Sequence, residues 1–216
     1  MSGTRRNLGV GLAGSLALLM VFALGLSTVF AQGPMRVSGG GEAVAGDVTY
    51  QVGAGTCGSN VDPPGIGNVN SGTGPGSVAE FDSTGNRITF DFNARVDGQG
   101  NVRGQMQMVD HTLGLVIHSD VATLEIHPTC DPPAGLEGDL VRMRSSVEGV
   151  RVNGVPQPGW RLDNSPAFDG GEPGAGIDTV CFELFRPGDP AIGEPAFVKV
   201  RQWSAFLSSG NVQIVP

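Results

Sequence analysis

Much of what marks an enzyme is scarce in these 216 residues. One tyrosine and two tryptophans are too few for an aromatic sugar-stacking platform, so Tyr50, Trp160 and Trp203 read as core or rim residues. The nucleophile elbow, the zinc-protease helix and the phosphate-binding loop are all missing. Only 16% of residues are charged, and acids outnumber bases to give a net charge of -8 and a pI near 4.7. Such a surface repels phosphate backbones and anionic lipid, which argues against nucleic acid as a partner. Beyond residue 31 no apolar run is long enough to cross a bilayer and no segment carries a helical hydrophobic period, so no membrane insertion of the mature chain is expected.

Glycine and proline, in contrast, are abundant, at 35 and 15 residues, and show no collagen period. They are interspersed with apolar runs in a chain that is 39% hydrophobic, which is the pattern of many short strands joined by many turns. The clearest stretch is Ile88 to Ile126. Ile88, Phe90, Phe92, Ala94 and Val96 alternate with polar residues, Asp97 to Asn101 supplies a glycine-containing hairpin loop, and Val102, Gly104, Met106 and Met108 form a second alternating row. A third strand starts at Leu115, and its apolar phase slips between Ile117 and Ala122, which predicts a bulge near Ser119-Asp120.

The first 31 residues read as a signal peptide: Arg5 and Arg6, an apolar run from Leu8 to Leu26, and a small-x-small cleavage signature at Val29-Phe30-Ala31. An uncleaved N-terminal anchor is the competing reading, and either makes the protein secreted or attached to the cell surface. Residues 32–216 are then a single domain. Within it, Gly39 to Gly41 reads as turn or bulge devices before a strand at 47–52, and 53–77 as a long Gly/Pro-rich surface loop. His127 to Gly135 is a turn-rich connection, followed by a strand at 140–147, an Asn153-Gly154 turn and a strand start at 159–162. A second polar, glycine-rich loop occupies 163–178. Thr179 to Phe185 is a strand, and 196–207 and 211–215 are two more around Ser208-Ser209-Gly210. The expected fold is all-β, an antiparallel sandwich or partly closed barrel of about eight to ten strands preceded by an N-terminal signal helix.

Several of these motifs, in this order, carry a resemblance. Gly-Gly-Gly-Glu at 39–42, Ile-Thr-Phe-Asp-Phe-Asn-Ala at 88–94, Gly-Gln-Met-Gln-Met-Val-Asp-His at 104–111 and Gly-Leu-Val-Ile-His-Ser at 114–119 are followed by the split Asp-Asn…Gly-Glu-Pro-Gly-Ala-Gly-Ile-Asp-Thr at 163–179 and Ser-Gly-Asn-Val-Gln-Ile at 209–214. From about Val37 to Val215 the chain resembles an uncharacterised secreted bacterial β domain family, the post-COAP type. The resemblance implies an extracellular or cell-surface β domain and assigns no catalytic residue. The insertion around Cys57, the Ser-Pro-Ala-Phe-Asp-Gly segment at 165–170 and the cysteines depart from that pattern.

Three groups of residues are candidates for chemistry. Cys57, Cys130 and Cys181 all lie in the exported part, where one disulfide is permitted; Cys57 and Cys130 sit in proline-rich loops able to meet its geometry, so that pair is expected. A nucleophilic cysteine working with His111 or His118 lacks a third orienting group. Zinc held by His111, His118 or His127 with Asp110 or Asp120 competes with solvated histidines on a wet strand face. The loop at 163–178 presents Asp163, Asn164, Asp169, Glu172 and Asp178, oxygen donors suited to a calcium ion, although their spacing is not that of an EF-hand and the same residue types dominate ordinary turns. No cofactor is expected, calcium being the one exception kept open, and no catalytic residue is assigned. The function expected is a non-enzymatic extracellular structural or binding module for a protein, a polysaccharide or another cell-surface component. A secreted hydrolase with a loop-assembled site is the alternative, and a pocket gathering two carboxylates of shifted acidity would support it.

Overall fold

Alternation of apolar and polar residues dictates strands along nearly the whole of the chain that a computed structural model describes. The described residues are 35–46, 48, 50–52, 55–57, 79–126, 131–133, 136–194 and 196–215. Among them the strands are β1 (Arg36–Val44), β2 (Tyr50–Val52), β3 (Gly55–Cys57), β4 (Arg87–Val96), β5 (Val102–Asp110), β6 (Leu115–Ile126), β7 (Asp131–Pro133), β8 (Asp139–Ser145), β9 (Arg151–Val152), β10 (Val155–Pro156), β11 (Arg161–Asp169), β12 (Thr179–Pro187) and β13 (Phe197–Val215). The only helical element among the described residues is a 3₁₀ turn at Pro190–Ile192. The expected signal helix falls outside the described residues.

Eight strands close into an antiparallel barrel in the order β1, β4, β5, β6, β8, β11, β12, β13 and back to β1. Closure depends on two long strands that each serve two neighbours. β6 pairs β5 through residues 115–120 and β8 through 121–126, and β13 pairs β12 through 197–206 and β1 through 207–215. The choice between sandwich and barrel is thereby resolved in favour of the barrel, which leaves no open edge along these strands. β9 and β10 form a hairpin laid on β6, and its two turn residues, Asn153 (φ 50°) and Gly154 (φ 78°), take the left-handed conformations that an Asn-Gly hairpin turn requires. β3, β2 and β7 make a separate small sheet.

The barrel interior is filled by side chains. Ile88, Phe90, Phe92 and Ala94 of β4 are buried as their alternation predicts, opposite Met106 and Met108 of β5. Phe90 and Phe92 stack with ring centroids 5.8 Å apart, and Phe182 of β12 tilts against Phe90 at 5.7 Å. Trp203, Met143 and Ile117 complete the apolar filling.

Four local expectations are corrected. Gly39 to Gly41 is not a turn but the middle of β1, where a Cβ on Gly39 would overlap the Phe92 ring. The bulge in β6 comes later than 119–120, between Val121 and Thr123 where the strand pairs β8, so Val121 points inward and Ala122 outward. Ser208 to Gly210 does not divide two strands; β13 is continuous, with a bulge opposite Glu42/Ala43. The first seven residues of the expected 163–178 loop belong to strand β11.

Candidate functional site

The two halves of the barrel differ on their outer faces, and the difference follows from which residues alternate with the core positions. On β8, β11, β12 and the first part of β13 many of the outward positions are polar or charged and yet buried. Cross-strand register arranges them in rungs. One rung runs Arg144, Asp163, Glu183, Gln202, and the next Arg161, Phe185, Lys199. Asp163 lies with Oδ1 3.1 Å from Arg161 Nε and Oδ2 3.4 Å from Arg144 Nε, while Glu183 Oε1 is 3.0 Å from Lys199 Nζ. The guanidinium of Arg161 stacks 4.4 Å over the Phe185 ring and 4.7 Å over Phe197. Arg142 Nε donates to Ser165 Oγ at 2.8 Å, and Lys199 Nζ donates to Gln202 Oε1 at 2.9 Å.

Removal from water dominates the chemistry of this face. Burial pushes the Asp163 carboxyl up to about 7, with Arg161 and Arg144 pulling the other way. Burial also pushes the Cys181 thiol up to about 12, so it stays protonated and unreactive beside Ser204, whose Oγ is 3.1 Å from its sulfur. A cleft of about 380 Å³ takes Gln202 and Ser204 as one wall and Phe81, Ser83 and Thr84 as another; neither Asp163 nor Glu183 lines it.

The outward positions of β13, β1, β4, β5 and β6 form the opposite kind of surface, exposed and polar. Gln213, Ser38, Asn93, Gln105 and Asp120 stand in register on five successive strands. Beside them run Asn211, Gly40, Asp91, Gln107 and His118. Because Ser38 and Gly40 are small, the surface dips between the longer side chains, and shallow grooves of about 380 to 490 Å³ open along it.

The five residues considered for calcium do not come together as one oxygen shell. Asp163 and Asn164 are strand residues, Asp163 on the buried outer face and Asn164 in register with the core residues Phe182 and Met143, and Asn164 Oδ1 accepts from the Cys181 amide at 3.1 Å. The other three carboxylates serve as acceptors that fasten the following loop to β13: Asp169 from Ile214 N (2.8 Å), Asp178 from Gly170 N (2.9 Å) and Val212 N (2.6 Å), and Glu172 from Asn211 Nδ2 (2.7 Å). Burial raises the pKa of Asp178, against the pull of those two amides. Among the described residues no three His, Cys, Asp or Glu side chains are grouped to hold a metal ion.

His111 and His118 are exposed, His111 within 2.9 Å of Thr89 Oγ1, and His127 lies outside the described residues. Cys130 also lies outside them. Among the described residues no two cysteines are within disulfide distance, and the expected Cys57–Cys130 bridge lies outside them. Sequence reasoning missed the buried ionic face, although one signal was present: Arg142, Arg144, Asp163 and Glu183 occupy alternate positions of strands whose other face is apolar. No family model, curated protein or solved structure matches the chain.

Proposed function

We propose that the protein is a non-enzymatic exported module that binds a cell-surface component, a polysaccharide above all, on the exposed sheet face of β13, β1, β4, β5 and β6. The observation that carries this reading is the in-register row Gln213, Ser38, Asn93, Gln105, whose amides and hydroxyl project from a rigid barrel wall. Such groups match sugar hydroxyls, and strands hold them in place better than a loop would. The filled interior leaves the outer wall as the surface available to a partner. An exported β domain is also what the resemblance to the post-COAP type implies.

Affinity electrophoresis through gels containing individual polysaccharides tests the proposal. At least one polymer is expected to retard the protein, and Asn93→Ala with Gln105→Ala is expected to abolish the retardation. Retardation by none would sink it.

A secreted hydrolase would need a pocket that gathers two carboxylates, whereas Asp163 and Glu183, paired across β11 and β12, are buried in ion pairs and line no part of the cleft beside Gln202 and Ser204. That reading requires turnover of an ester, glycoside or peptide substrate that disappears in Asp163→Asn.

A further inference from the structure

Next to the amide row, on the same face, lies a row of three arginines. Arg36 of β1 pairs with Arg95 of β4, and Arg95 pairs with Arg103 of β5, so three guanidinium side chains leave adjacent strands side by side. All three are exposed, and none forms an ion pair with a described residue. Like charges placed directly opposite one another across strands destabilise a sheet, and here two such pairs are consecutive. They also stand in a chain of net charge -8, so the cluster is a local reversal of the overall field. Asp97, the acid at the tip of the β4–β5 hairpin, feels Arg103, but its carboxylate is already taken by the amides of Gln99 and Asn101.

We propose that this face binds an acidic polysaccharide, one whose sugar rings carry carboxylates, lying across the strands with those carboxylates on the arginine row and its hydroxyls on the amide row. The inference rests on the binding function proposed above and names its ligand class. Adjacent strands are about 4.8 Å apart, so the arginines repeat at that interval. One pyranose ring advances a polymer by a similar distance, which puts a carboxylate on every ring, or on every second ring, opposite a guanidinium. Arginine forks pair bidentately with carboxylates. Ser38, Asn93 and Gln105 lie one rung away, on the same three strands, where the ring hydroxyls would fall. Asp91 and Asp120, farther along the face, oppose a second line of anions. The site therefore favours a ligand charged along one side and hydroxylated along the other over one charged on both.

The test uses polygalacturonate, its fully methyl-esterified form and inorganic polyphosphate as probes, with binding read by affinity electrophoresis and calorimetry. Binding to polygalacturonate is expected, with weakening as salt is raised and at least a tenfold loss on esterification. Arg95→Gln is expected to weaken binding about tenfold while leaving the thermal midpoint of the free protein unchanged or slightly higher, since it removes two like-charge contacts. Arg36→Gln and Arg103→Gln give the same loss, so the result does not hang on one variant. Equal binding of the ester, unchanged binding by Arg95→Gln, or polyphosphate binding as tight as polygalacturonate would overturn the inference. If polygalacturonate fails but a neutral polysaccharide is retained and is lost in Asn93→Ala with Gln105→Ala, the binding function stands without its acidic ligand. If no polysaccharide binds, both fall.

Discussion

Trp203 of β13 donates its indole N–H to Asp110 of β5 at 2.8 Å, joining two strands that are not neighbours in the barrel and residues 93 positions apart. The same carboxylate accepts from Asn86 Nδ2 at 2.6 Å and from the Leu113 amide at 2.9 Å, so three donors converge on one fully buried acid. A buried carboxylate is tolerated because those donors replace its water, and in return it fixes the end of β5 against the core.

Removing that carboxylate leaves the three donors without an acceptor. Asp110→Ala is expected to lower unfolding stability by about 3 kcal/mol, while Trp203→Phe, which keeps most of the packing, costs about 1.5 kcal/mol. Urea denaturation followed by circular dichroism measures both. A loss below about 1 kcal/mol for Asp110→Ala would show that water takes over the role.

Asp163 makes stability depend on pH in a definite direction. Burial raises its pKa from 3.8 in the unfolded chain to about 7 in the fold, so between those values the folded state holds more protons than the unfolded one. Stability therefore falls as pH rises from about 4 to about 7 and levels off above that, a loss on the order of 4 kcal/mol. Asp178, also raised by burial, adds to the slope with the same sign. In Asp163→Asn the Asp163 contribution disappears, so the difference in unfolding free energy between wild type and variant is expected to change across this window and be flat above it. A constant difference from pH 4 to 8 would contradict the assignment.

What the sequence made legible and what it hid divide along a physical line. β4 and β5 were readable because one face meets the core and the other meets water, so burial is written into alternation. β8, β11 and β12 were harder because both faces are buried, one of them through ion pairs, and a polar residue in sequence looks the same whether solvated or paired inside. Asp163 and Asn164 were for that reason assigned to a turn. The arginine row was invisible for another reason: Arg36, Arg95 and Arg103 become neighbours only through strand register, which no local pattern states.

The Glu183–Lys199 pair is buried on both sides, each side chain about 2% exposed or less. Removing one partner strands the other charge, so Glu183→Leu is expected to cost roughly 3 to 5 kcal/mol. Replacing both, as Glu183→Leu with Lys199→Met, removes the desolvation cost together with the attraction, and the double variant is expected to be more stable than either single one. Chemical denaturation of the four proteins in a double-mutant cycle gives the coupling, and additivity would mean that the pair is not coupled.

Gly39 tests the close contact that closes the first half of the barrel. Its position faces the Phe92 ring, whose edge occupies the volume that a Cβ would need, and the backbone there is an ordinary strand, so the effect of a substitution is steric. Gly39→Ala forces either the ring off its rotamer or β1 away from β4, and overpacking of this kind costs about 1 to 3 kcal/mol. Trimming the ring makes room, so Phe92→Leu introduced into Gly39→Ala is expected to cost less than Phe92→Leu introduced into the wild type. Thermal or urea unfolding of the single and double variants measures the difference. Equal costs in the two backgrounds would mean that the glycine is there for a reason other than Phe92.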